Sequence, residues 1–370
     1  MNNPFQDRTA ALQAQIAENG PDLVAISAGP SQVYFSGLHF HLSERPAVLL
    51  IGKNNTPAFI FPAFEAGKVQ AAPLALDMFP YSEDISDWQR AFRDAISHFA
   101  AGNQCIGVEA TSMRFLEMDL LKNADHNITF TSADNLIAPL RSRKDFQEVQ
   151  AIRAAIAIAE KALTSTIPHI KAGVSEKEAA NLLVANLLRE GSDPDLPFFP
   201  IVASGPNSAN PHAVPGSRLL QTGDLLIIDW GARVDGYISD ITRTLAIGPI
   251  SSELREIYGT VKTANQKARA LKSSHLSAGL IDHEARHVIT TAGYGEQFIH
   301  RTGHGYGMEA HEPPYITDGS SQAILPGMAF TIEPGIYLPG IGGVRIEDDM
   351  LALDGELETL TTLERDLISL

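Results

Sequence analysis

The stretch LLIIDWGARVDGYISDITRT, residues 225–244, constrains the fold more than any other part of the chain. It opens on a near-continuous apolar run, Leu225 to Ile228, and is interrupted by Asp235-Gly236. Asp-Gly between such segments is a strong hairpin signal, because a type I′ turn needs positive φ at both central residues. With those two residues as the loop, Val234 faces Tyr237, and counting outward puts Asp229 opposite Thr242. Asp240 lies two places from Thr242, so it shares a face with Asp229 and sits diagonally across from it. Two carboxylates on one face of a mostly apolar hairpin have two explanations, solvation of both or a cation between them. The apolar flanks predict burial, and buried carboxylates must be paired or bind metal, which favours the cation.

A second hairpin repeats the pattern. In FTIEPGIYLPGIGGVRIEDD, residues 330–349, Thr331-Ile332 enters Glu333 and Val344-Arg345-Ile346 enters Glu347. If the chain folds back about Gly340, Glu333 falls directly opposite Glu347, although Pro334 and the glycines leave room for a bulge. Like charges directly opposite each other destabilise a hairpin unless something neutralises them. Ahead of it, HRTGHGYGMEAHEPP, residues 300–314, carries His300, His304 and His311. Its glycines let the backbone approach another group closely, and imidazole is the commonest metal ligand and the usual general acid/base near neutral pH. A surface loop with incidental histidines is the plainer alternative. The loop VASGPNSANPHAVPG, residues 202–216, adds His212, for which solvation is the ordinary reading.

Four carboxylates and a glycine-framed histidine make an oxygen-rich set that suits manganese, iron, cobalt or zinc. They exceed what one catalytic ion needs. Two ions about 3.5–4 Å apart would use all four, hold a bridging hydroxide and polarise a carbonyl. A competing motif, His283-Glu284-Ala285-Arg286-His287, matches the H-E-x-x-H zinc helix. It follows Asp282, a natural helix cap, so the segment reads as helical. Arg286 would put a cation beside the zinc ligands and the flank before the motif is polar, so a surface helix is expected.

With 370 residues the chain is comfortable for two domains. Residues 1–139 read as an α/β domain, with strands at Leu23–Ser27, Val33–Phe35, Ala47–Ile51, Ala58–Phe61 and Cys105–Val108 and a helix over Ile85–Ala100. Nothing in it points to chemistry. His39 and His41 flank Phe40 as a loop or surface pair, and the domain is expected to wall one side of a site or carry an oligomer contact. Composition shifts at Pro139–Lys144. From residue 140 onward the pattern is α+β: a helix over Asp145–Ser165, a capping box Ser175-Glu176-Lys177-Glu178 opening a second to Glu190, a third over Ser252–Ser273, a fourth from Asp282. Strands fall at Ile201–Ser204, Met328–Ile332 and Gly343–Ile346 around the first hairpin.

The net charge of −16 argues against a nucleic-acid partner. No apolar run spans a membrane, and the first twenty residues lack the basic start and apolar core of a signal peptide. One cysteine, Cys105, fits a reducing compartment. A cytoplasmic protein is expected.

On these residues the chain resembles the pita-bread metallopeptidases: prolidase, aminopeptidase P and the non-peptidase relative creatinase. The resemblance spans residues 140 to the end on five spaced ligand positions. It extends more loosely to a creatinase-type N-terminal domain through YFSGLHFHLSERPAVLLI. It implies a pita-bread catalytic domain over residues 140–370. Asp229 would bind one metal, His304 and Glu333 the other, and Asp240 and Glu347 would bridge both. Glu333 would double as acid/base. His212 and His311 match the active-site histidines that bind substrate and stabilise the tetrahedral intermediate, while His300, Tyr337 and Arg345 match supporting and substrate-facing positions. All five ligands are present, which favours a metallohydrolase over creatinase. The implied activity is cleavage of Xaa-Pro bonds in dipeptides or short peptides by a homodimer with two divalent ions, manganese first and cobalt, iron or zinc as alternatives.

One departure stands out. Archaeal and human prolidases carry an arginine after the position of His311 that clamps the dipeptide carboxylate. This chain has Tyr315 there and no arginine through Gly327. That leaves dipeptidase and aminopeptidase P specificity both open. A hydrolase of a small amide or amidine on the same scaffold and a silent peptide-binding module are the two other classes.

Overall fold

The computed structural model describes residues 3–99 and 104–370. The chain divides into two compact units, one ending at Arg141 and one running from Ser142 to Leu370. In the first unit, β1 (Leu23–Ser27), β2 (Val48–Gly52), β3 (Ala58–Pro62), β4 (Asp77–Tyr81), β5 (Cys105–Val108) and β6 (Thr129–Ser132) form one sheet in the order β4-β3-β2-β1-β5-β6. The centre is antiparallel (β1 with β2, β2 with β3) and the flanks are parallel. Every residue of β1, β2 and β3 is buried, so both faces of the sheet are covered. The unit's helices are α1 (Pro4–Asn19), α2 (Pro30–Ser36), α3 (Ala66–Gln70), α4 (Ile85–Ser97), α5 (Phe115–Ala124) and α6 (Asp134–Ser142), of which α1, α2 and α4 pack directly on the strands. Ala91, Phe92, Ala95 and Ile96 of α4 recur at helical spacing and pack on Leu23, Ala25, Val48 and Ile60.

Two expectations for this unit are corrected. Val33–Phe35 is not a strand but part of α2. Pro30 sits in its first turn, where the fixed φ of proline suits a helix start. Gly37 closes it in the left-handed conformation, at φ 71°. Three apolar residues are too few to show a period, so those flanking signals decide. The helix at Ile85 ends at Ser97, and Ala100, its expected end, lies outside the described residues. His39 and His41 are exposed, with their rings edge-on at 5.0 Å across a buried Phe40.

The second unit alternates helix pairs with antiparallel strands. Its first pair, α7 (Phe146–Thr166) and α8 (Glu176–Glu190), opens on two capping boxes, Asp145 with Glu148 and Ser175 with Glu178. Strands β7 (Ile201–Ser204), β8 (Leu225–Trp230), β9 (Arg233–Val234), β10 (Tyr237–Ile238) and β11 (Ile241–Ala246) follow. Trp230 is wholly buried, and its indole N–H donates to Ala159 O of α7 at 2.9 Å. The second pair is α9 (Ser252–Arg269) and α10 (Ala278–Thr291). Then come β12 (Gly303–Gly305), β13 (Glu312–Ile316), β14 (Ala329–Ile332), β15 (Gly335–Leu338), β16 (Gly342–Arg345), β17 (Asp348–Ala352) and β18 (Leu357–Thr359). They build a three-stranded sheet β11-β8-β7, a five-stranded sheet β13-β12-β14-β17-β18 and two short ribbons. Ile257, Val261 and Ile281 from α9 and α10 share one core with Phe330, Ile332, Val344 and Met350. No helix among the described residues is long and apolar enough to cross a membrane.

The third helix stops at Arg269 rather than Ser273, and the fourth starts four residues before Asp282, capped by Ser277. Asp282 is therefore inside α10. It is fully buried, takes the Arg286 guanidinium at 2.7 Å and accepts from Thr302 Oγ1 at 2.7 Å.

Candidate metal centre

The first hairpin has the register counted from its turn. Val234 pairs with Tyr237 and Asp229 with Thr242. Asp235 and Gly236 both hold positive φ, 51° and 82°, as a type I′ turn demands. Asp240 sits where the ribbon β9–β10 gives way to β8–β11. Its N–H leaves the ladder and donates to Asp349 Oδ2 at 3.1 Å.

The second hairpin also keeps one register. Ile332 pairs with Asp348 and Gly335 with Arg345, so Glu333 and Glu347 fall opposite each other between the two ladders. At this gap both residues turn to other partners. Glu333 N–H donates to Thr302 O at 2.7 Å, and Glu347 N–H to Thr242 O at 3.1 Å. Thr242 Oγ1 also donates to Glu347 Oε2 at 2.6 Å, which locks the two hairpins together beside the acids.

His304 enters from β12, pressed between two glycines. A Cβ on Gly303 would lie 1.9 Å from Thr331 O, and one on Gly305 would lie 2.3 Å from Pro313 O. Only residues without a side chain allow that approach. His304 Nε2 is 3.3 Å from Glu333 Oε1 and 3.8 Å from Asp240 Oδ2. Asp240, His304 and Glu347 each offer a ligand atom within 4.8 Å of the others, and all three are buried. Asp229 completes the cluster, with Oδ2 held by Arg345 Nη2 at 2.6 Å and Oδ1 buried without a hydrogen-bond partner.

Arg345 ties this corner down. Its Nε donates to Thr242 Oγ1 at 3.1 Å and its Nη1 to Tyr337 O–H at 3.0 Å. His300 Nδ1 lies 2.7 Å from Arg301 O, an acceptor only, so Nδ1 carries the proton and Nε2 accepts from Tyr337 O–H at 2.8 Å. Burial then holds His300 down to about 4, a neutral imidazole at neutral pH.

Burial is also the first cause at the acids, and it pushes Asp240 and Glu347 well above the usual carboxylate range. Their acidic neighbours add to it: Glu347 and Asp229 act on Asp240, Glu333 and Asp229 on Glu347. Burial, opposed by Arg345, brings Glu333 to about 7. A set of buried carboxylates that repel one another, one of them with an orphaned oxygen, fits a divalent cation, which would satisfy the oxygens and reverse the repulsion.

The nine expected residues Asp229, Asp240, His304, Glu333, Glu347, His212, His300, His311 and Arg345 all line one cavity of about 500 Å³. Tyr337 stands behind it, hydrogen-bonded to two of them. His212 and His311 are on its exposed side. His283 and His287 do not line it: both are exposed on α10, rings stacked at 5.7 Å, as a surface helix requires. Sequence reasoning missed Phe198, Phe199 and Arg301 in the lining. No pattern singled out the phenylalanines, whereas Arg301 lies inside the histidine-rich segment 300–314.

Comparison with known proteins identifies the family. The pattern of metallopeptidase family M24 matches residues 150–354, and that of the creatinase/prolidase N-terminal domain matches residues 8–143. An Xaa-Pro dipeptidase of Lactobacillus helveticus is 33% identical over 357 residues, 96% of this chain and 97% of the relative. The crystal structure of a dipeptidase from Pyrococcus horikoshii OT3 superposes with a TM-score of 0.92 at 38% identity, covering 98% of this chain and 100% of that one. A recombinant prolidase from Thermococcus sibiricus gives a TM-score of 0.93 at 34% identity, with both chains fully covered. The chain belongs to metallopeptidase family M24: it is a peptidase of the pita-bread fold, preceded by a creatinase/prolidase N-terminal domain.

Proposed function

We propose that this peptidase cleaves the Xaa-Pro bond of dipeptides or short peptides with two divalent ions, manganese first among them. The observation that carries this reading is the meeting of four carboxylates and His304 in one cavity of peptide size. The names of the relatives, Xaa-Pro dipeptidase and prolidase, support the same substrate class. Asp229 would hold one ion, His304 and Glu333 the other, and Asp240 and Glu347 both. When bound, the ions lower the pKa of water and polarise the scissile carbonyl.

The chain's own groups do the rest. Glu333, near neutrality in the protein alone, takes a proton from the attacking water on its carboxylate. It then passes that proton to the leaving proline nitrogen. His212 and His311 donate hydrogen bonds to the substrate carbonyl as negative charge develops on its oxygen. Burial, then the positive charge of Arg301, holds His311 below its ordinary value, so it acts as a neutral donor. Arg345 and Tyr337 fix Asp229 and His300 in place. A homodimer belongs to the same proposal, and light scattering on the purified protein checks it.

The test is hydrolysis of Ala-Pro, Ala-Pro-Ala and Ala-Ala by metal-stripped protein reloaded with manganese, with metal counted in parallel. Cleavage of the proline peptides with two ions per chain is expected, and Glu333→Gln should abolish turnover. Two bound ions without any Xaa-Pro cleavage would overturn the substrate assignment. Unchanged turnover in the Glu333 variant would overturn its acid/base role.

A further inference from the structure

Arg301 is the cavity's unexplained charge. It lines the cavity and is half-buried. Its guanidinium makes no hydrogen bond or ion pair among the described residues and lies over the ring of Tyr315, 4.6 Å from the centroid. Arg345, by contrast, is spent on Asp229, Tyr337 and Thr242. A free cation at the edge of a cation-binding cluster repels the ions that cluster would hold. A guanidinium kept there, over an aromatic face, is preorganised for a planar anion.

The proposed substrate supplies such an anion. With the scissile carbonyl at the acidic cluster, a dipeptide ends in a carboxylate attached to the proline ring. We infer that Arg301 binds the α-carboxylate of the C-terminal residue of Xaa-Pro dipeptides, in the role that an arginine at position 315 would otherwise fill. This rests on the Xaa-Pro reading above. The ring contact supports the exchange. Arg301 lies just before β12 and Tyr315 on the neighbouring β13, and the guanidinium over the Tyr315 ring brings positions 301 and 315 to the same space. A guanidinium anchored on β13 or just before β12 reaches one position from two sides. A tripeptide places its carboxylate one residue further on, so Arg301 favours dipeptides.

The experiment compares Ala-Pro with Ala-Pro amide, and Asp-Pro with Ala-Pro, using manganese-loaded wild type, Arg301→Met, Arg301→Lys and the double variant Arg301→Met/Tyr315→Arg. Metal content and circular dichroism are recorded for each. Wild type should prefer the free carboxylate. Arg301→Met should lower that preference by about tenfold or more, mainly through KM, as expected on removing one partner of a charged hydrogen bond. Arg301→Lys should fall between them, and it remains informative if the methionine variant fails to fold. Restored preference in the double variant would establish that the guanidinium, rather than its strand, matters. Equal losses on Ala-Pro and its amide would overturn the inference. So would a loss confined to Asp-Pro, which would assign Arg301 to the first side chain. Wild type that cleaves none of these peptides would instead overturn the underlying reading.

Discussion

Glu347 and Asp348 are neighbours in the chain and both are buried, at 2% and 0% exposure, yet their carboxyl groups are pushed in opposite directions. Successive residues of extended chain face opposite sides, so one meets the cavity and the other the body of the domain. Asp348 accepts from Arg243 Nη2 at 2.8 Å and from Arg365 Nε at 2.9 Å, with Arg269 Nε at 3.1 Å. Burial raises it, but Arg243, Arg365 and Arg269 outweigh that and leave it below its ordinary value. Glu347 feels the same burial among Glu333 and Asp229, with Arg345 as partial relief. Burial is common to both. What separates a structural acid from a candidate ligand is whether the chain supplies the countercharge or leaves it to come from outside.

The comparison can be broken on either side. The largest effect is expected at Glu347→Gln, which removes the charge and keeps an acceptor for Thr242. It should lower bound metal and cut peptidase activity by at least about 10³-fold, several kcal/mol of barrier, while the metal-stripped protein gains thermal stability because a mutual repulsion is gone. Metal analysis, kinetics and melting of stripped protein check the three signs, and a destabilised stripped variant would contradict the repulsion.

Asp348→Asn should do the reverse. It leaves buried guanidiniums without their carboxylate and should cost about 3–5 kcal/mol of folding stability. A group with a depressed folded pKa stabilises above its unfolded value and loses that contribution as pH falls through the folded one. Urea unfolding should therefore show the full gap between wild type and Asp348→Asn at about pH 6, narrowing below about pH 4. The site acids carry the opposite sign. Their raised pKa values mean that stripped protein gains a contribution as pH falls from neutral through Glu333's value of about 7.

The smallest effect sharpens the boundary of the site. His283→Ala with His287→Ala should change stability by no more than about 0.5 kcal/mol and leave metal stoichiometry and turnover as they were. Lost metal would reinstate the helix motif as a ligand.

Both registers were legible because a two-residue period needs only a turn to count from. Asp235-Gly236 fixed Asp229 opposite Thr242, and Gly340 fixed Glu333 opposite Glu347. Capping boxes at Asp145 and Ser175 are local in the same way. What stayed hidden depends on parts distant in sequence. The docking of Thr242 on Glu347, the Arg345–Asp229 pair and the arginines around Asp348 have no local pattern. The helix over Val33–Phe35 and the start of α10 at Ser277 were missed for a different reason. Short apolar runs show no period, and a buried, paired Asp282 looks like a cap when its partners are unknown.

The docking of the two hairpins has a consequence for how the site comes into being. Each hairpin closes on a short turn, a fast and local event. They join through Thr242 and Glu347, 105 positions apart, and through Asp229 and Arg345, 116 apart. Contacts of that span form late, after long loops have closed. No ion that needs both hairpins can find its full ligand set in a half-folded chain. The cation is thus a latch on a finished topology rather than its nucleus, and its removal should quicken unfolding far more than it slows folding.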